Sequence, residues 1–93
     1  MTRRAQDALL LAAAIAAGLF GAMNTFITVA ASDPRAMQPY HVKAFVTLGI
    51  CEAVVVIVLF RGTVIGRVAA LLVGLIALNP LWVLLQQAPY VWP

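Results

Sequence analysis

Glu52 is the only acid inside a long apolar run of this chain. An acid near the centre of a hydrocarbon layer costs about 3 kcal/mol on insertion scales and marks a functional position by default. It suits a proton relay, an ion site, a polar-substrate site or a contact to a quinone headgroup. Arg67 lies near the start of the next apolar run, and Asn24 and Asn79 are amides within the first and third runs. Counted from the ends of their runs, the two asparagines share a depth slightly outside that of Glu52. Glu52, Arg67, Asn24 and Asn79 are therefore the candidate intramembrane polar cluster. The same residues have a structural use, an interhelical hydrogen-bond clasp that fixes packing or docks a partner. A fold about Gly62 sets Glu52 level with about Leu72 and leaves Arg67 on the order of 7 Å nearer the turn. Arg67 is then the one cation within reach, either meeting the carboxylate or snorkelling to phosphate.

His41 is a possible haem or pigment ligand through its imidazole. It stands beside Tyr40 and Lys43 at the end of its run and reads as a solvated or headgroup-bonding residue. Cys51, the single cysteine, supplies neither an intramolecular disulfide nor a metal-ligand pair and reads as a small buried residue. No phosphate-binding glycine loop, C-x-x-C, H-E-x-x-H or G-x-S-x-G pattern occurs, so no catalytic residue, metal or cofactor is expected. The six basic residues are scattered singly at run ends, which speaks against nucleic acid and for headgroup anchoring.

The elements that must position these residues follow from composition. Of 93 residues, 65% are hydrophobic and 10% charged, with a mean hydropathy of +1.04. A chain so short cannot hide that much apolar surface from water. The expected fold is all-α, an integral membrane protein of one domain with three transmembrane helices at about 8–31, 39–60 and 64–85. The second run can bear its acid, because its twelve Val, Leu, Ile and Phe residues between Val42 and Phe60 offset it by about 5 kcal/mol in total. Val54 to Val58 would favour a strand in water, but an isolated strand in lipid leaves its backbone unpaired, so helix is expected. Arg3 and Arg4 followed by an apolar run and Val29-Ala30-Ala31 also fit a secretory signal. The run exceeds the usual core of about 7 to 15 residues and is read as a span.

Asp33-Pro34 reads as a short interfacial turn, Pro39 as the opening of the second span. Phe60-Arg61-Gly62-Thr63 reads as a tight hairpin, with Gly62 in the left-handed helix-ending conformation and Thr63 capping the third span. Pro80 is expected to kink that span. Ala13, Ala17, Gly21, Asn24 and Thr28 share a face of the first span, with Ala14, Gly18 and Ala22 beside it. Gly18, Gly21, Gly49, Gly66, Ala70 and Gly74 are the expected close-packing positions, since small residues drive helix association in lipid. Arg3, Arg4, Arg61 and Arg67 outnumber Arg35 and Lys43, so the N-terminus is expected in the cytoplasm and the C-terminus outside. Tyr40, Trp82, Tyr90 and Trp92 then form an aromatic belt on the outer side.

An acid in the second span, Glu52, a glycine turn at Gly62 and Arg67 followed by Ala69-Ala70 resemble the corresponding part of DoxX-like small membrane proteins. Gly18-Leu19-Phe20-Gly21 is similar to that family's glycine-bearing first helix. The resemblance spans about half the chain and implies a small helical bundle associated with membrane redox or quinone-linked complexes, with no catalytic residues to carry over. Small-residue stripes on more than one face give the helices more packing surface than they satisfy among themselves. The expectation is an accessory or assembly subunit of a larger complex in a bacterial-type inner membrane, its partners being the bilayer and other subunits or itself. The second expectation is a homo-oligomeric transporter or channel with Glu52 as its proton or ion site.

Overall fold

The computed structural model describes residues 2–30 and 34–91, with side chains for 2–30 and 39–89. Three helices make up the fold: α1 (Arg3–Ala30), α2 (Pro34–Arg61) and α3 (Val64–Val91), each of 28 residues. No strand occurs among the described residues. Each helix contains a stretch long and apolar enough to cross a membrane. The molecule measures 47 × 20 × 19 Å, and a bilayer with its interfaces is about 40–45 Å thick.

All three helices outrun the apolar segments. At the start, Thr2 caps α1: its Oγ1 accepts the Ala5 N–H at 3.2 Å and its carbonyl accepts the Gln6 N–H at 3.1 Å. Pro34 is the first residue of α2, so the expected opening at Pro39 comes a turn late and Pro39 lies inside the helix. α3 likewise continues through Pro80 and Pro89. A proline removes one helical hydrogen bond, and the ladder on either side of it continues. Ser32, Asp33 and Trp92 lie outside the described residues, as do the side chains of Arg35 and Tyr90.

The buried positions of α2 are His41, Ala44, Leu48, Cys51, Val55, Val58 and, just past its end, Gly62. Their steps alternate between three and four, a 3.5-residue repeat that keeps one seam facing its partners and marks left-handed supercoiled packing. On α1, Asp7, Ala14, Gly21 and Thr28 are buried seven apart, with Thr25 beside them. Ala13 is exposed, because the seam runs between the two small-residue stripes rather than along the first. α3 buries Gly66, Ala70, Gly74, Ala77 and Leu84. Outside these seams large apolar side chains stand bare, Phe26 at 74%, Phe60 at 80% and Ile65 at 82% exposure. That surface suits hydrocarbon rather than water.

Close approaches fix the register. A Cβ at Gly18 would lie 3.5 Å from Cys51 Sγ, and one at Gly21 2.5 Å from the Leu48 side chain. These pairs run in opposite directions along the chain, so α1 and α2 are antiparallel. A Cβ at Gly74 would lie 3.0 Å from Val55 Cγ1 and 3.5 Å from Glu52 Oε2, so α3 packs on α2 at that level. Gly49 faces open space, with nothing within 4 Å. No described glycine has a positive φ. Gly62 therefore does not take the left-handed conformation expected of it; its N–H continues the helical ladder to the Val58 carbonyl at 2.7 Å. Its need is space: a Cβ there would sit 2.6 Å from that carbonyl.

Candidate functional site

Among the described residues a dense polar arrangement lies where α1 meets the Gly62-Thr63 connection. Helix ends leave carbonyls and N–H groups without intrahelical partners, and α1 supplies one side chain to each. Arg3 donates from Nε and Nη2 to the Arg61 carbonyl at 3.0 and 2.6 Å, at the C-terminal end of α2. One turn on, Asp7 Oδ2 accepts the Thr63 N–H at 2.9 Å, at the N-terminal end of α3. The cation meets the negative end of one helix dipole and the anion the positive end of the other. Thr63 adds its own cap, accepting the Gly66 N–H on Oγ1 at 3.3 Å. A Cβ at Gly62 or Gly66 would stand 3.4 or 3.6 Å from Asp7 Oδ2, so both glycines line the space that the carboxylate occupies. Asp7 is only 5% exposed. Sequence reasoning began the first span at about residue 8 and missed this clasp. Two signals carried it: the four-residue step from Arg3 to Asp7, and the sevenfold step from Asp7 through Ala14 and Gly21 to Thr28.

Deeper in the bundle most polar side chains bond back to their own helix. Asn24 donates to the Phe20 carbonyl at 2.9 Å, Thr25 to Gly21 at 2.7 Å, Thr28 to Asn24 at 2.7 Å, and Thr47 to Lys43 at 2.9 Å. Each is a donor that reaches one turn back to a carbonyl, the route open to Ser, Thr and Asn in a helix. A carboxylate has no proton to offer and cannot take that route. Glu52 Oε1 is buried with no hydrogen-bond partner among the described residues, and Oε2 faces the gap left by Gly74.

No hydrogen bond or ion pair joins Glu52 to Arg67, Asn24 or Asn79 among the described residues. The register explains why. Glu52 lies opposite Gly74, which sets Arg67 about 10 Å nearer the connection, and its side chain is exposed. Asn79 is exposed too, and Asn24 is spent on Phe20. Ala70 is fully buried.

His41 departs from its reading as a solvated residue. It occupies the buried seam of α2 with no exposed surface, edge-on to Phe45 with ring centroids 4.9 Å apart. The backbone of Leu84 on α3 is a hydrogen-bonding partner. Cys51 is buried against Gly18. Among the described residues no group of three metal-ligating side chains assembles. No family model, no curated protein and no solved structure matches the chain.

Proposed function

We propose that the chain is a non-enzymatic accessory or assembly subunit of a larger complex in a bacterial-type inner membrane. In this reading the three helices are inserted with a tight α2–α3 hairpin, the N-terminus in the cytoplasm and the C-terminus outside. The observation that carries it is Glu52: a carboxyl oxygen buried without a hydrogen-bond partner among the described residues, on a helix where Thr47 bonds back to its own backbone. A buried polar atom of that kind is costly, and the half-buried Glu52 side chain keeps surface at which a donor on a neighbouring subunit would meet its carboxylate. The resemblance to DoxX-like proteins adds a direction, toward redox or quinone-linked assemblies.

Purification of the tagged chain in mild detergent tests the reading. Foreign membrane subunits in stoichiometric yield, lost on Glu52→Ala, are the expected result. A closed homo-oligomer would instead favour a small transporter or channel using Glu52 as its proton or ion site. Glu52→Gln in liposomes then separates the two, since unchanged proton or ion flux would sink the transport reading.

A further inference from the structure

At the end of the bundle that carries the α2–α3 connection, residues of α1 and α2 line an open groove of about 860 Å³. Its rim is basic and its wall apolar. Arg3 and Arg61 stand at the mouth, and Leu9, Leu10 and Ile57 line the part that runs into the bundle. From Arg3 to Leu10 the groove extends about 10 Å along α1. Guanidinium groups at the mouth and hydrocarbon below reproduce, in complementary form, the division of a phospholipid into headgroup and acyl chain.

We propose that this groove seats an anionic phospholipid, with its phosphate between Arg3 and Arg61 and one acyl chain along Leu10 and Ile57. Both cations are available. Arg3 uses two of its five N–H donors on the Arg61 carbonyl. The Arg61 side chain is exposed, and no hydrogen bond engages it among the described residues. Asp7 also borders the groove, but its carboxylate is buried and directed at the Thr63 N–H. Fork-shaped donors on neighbouring helices suit a phosphate diester, which a zwitterionic headgroup offers with its charge already neutralised. Basic pockets between membrane helices bind anionic headgroups for this reason.

The seat rests on insertion of the helices and on no particular partner. Its test is the full chain reconstituted in vesicles of equal phosphatidylglycerol and phosphatidylcholine with matched chains. Lipid retained after extraction into mild detergent is then counted by native mass spectrometry. Two variants separate the parts. Arg61→Gln removes a guanidinium but keeps the backbone carbonyl that receives Arg3, so the clasp survives. Ile57→Trp, at an exposed position of the wall, fills the groove and leaves the charge in place. The expected result is retained phosphatidylglycerol in preference to phosphatidylcholine, the preference falling about fivefold in Arg61→Gln and retention falling in Ile57→Trp. Equal retention of both lipids would overturn the seat, as would a preference that survives both variants. Loss in Arg61→Gln with full retention in Ile57→Trp would reduce it to surface charge and overturn it too. A chain left out of the vesicles would fail insertion itself, an outcome distinct from insertion without headgroup preference. A Tm of Arg61→Gln equal to that of the parent would exclude unfolding as the cause.

Discussion

Asp7 on α1 accepts the backbone N–H of Thr63 at 2.9 Å, so the first helix caps the third. With Arg3 on the Arg61 carbonyl, one turn of α1 holds both ends of the α2–α3 connection. Neither bond links two side chains. The clasp therefore reads backbone position, and it holds the connection whatever residue occupies position 61.

Removing the buried member should be felt most. Asp7→Ala leaves the Thr63 N–H without its acceptor and should lower stability by about 1–3 kcal/mol. Asp7→Asn keeps an acceptor oxygen and should lose less. Arg3→Ala, at an exposed position, should cost under about 1 kcal/mol. Thermal unfolding in detergent would give the order, and an Asp7→Ala variant as stable as the parent would remove the clasp from the energetics of the fold.

How much of this was legible in the sequence depended on which force set each feature. The apolar runs announced three helices, each with a stretch long and apolar enough to cross a membrane. Their ends were not legible, since Arg3 to Asp7 and Gln86 to Val91 are helical without being apolar. The small residues announced close packing, and Gly18, Gly21 and Gly74 do approach a neighbour, but Gly49 has none. A glycine's spacing does not say which side of its helix meets protein. For the candidate site, Glu52 stood out as a lone acid, whereas Arg67 was paired with it on sequence distance alone. The observed register and the exposure of Arg67 keep the two apart. Asp7 was hidden because an acid beside two arginines reads as surface charge until the Gly62-Thr63 connection is brought over it.

Gly21 and Gly49 make a matched pair. A methyl at position 21 meets Leu48 at 2.5 Å and Thr47 Oγ1 at 3.1 Å, whereas one at position 49 meets nothing. Overpacking at a helix contact costs about 1–3 kcal/mol, so Gly21→Ala should be destabilised by that order. Gly49→Ala should be neutral or gain up to about 1 kcal/mol from helix propensity. Equal unfolding temperatures for the two variants would contradict the register of α1 on α2.

Glu52 and Arg67 should behave as independent positions. Groups about 10 Å apart along the bundle with no shared partner add within about 0.5 kcal/mol. A double-mutant cycle of Glu52→Gln and Arg67→Gln, read by unfolding in detergent, should therefore close within that margin. A coupling above about 1 kcal/mol would mean that the two side chains meet, and would restore the cluster read from the sequence.

Cys51 offers a probe of packing that needs no substitution. Its thiol is fully buried on the α1–α2 seam, where a Cβ at Gly18 would lie 3.5 Å from the sulfur. A thiol must be reached before it reacts, and it is out of reach while the seam is closed. A water-soluble maleimide should therefore leave the folded chain unlabelled over the time in which it labels the unfolded chain fully. Gly21→Ala, which forces α1 and α2 apart one turn away, should raise the labelling rate, and Gly49→Ala should not. Rapid labelling of the parent chain in mild detergent would show that α1 does not cover Cys51, and the antiparallel packing of the first two helices would fall with it.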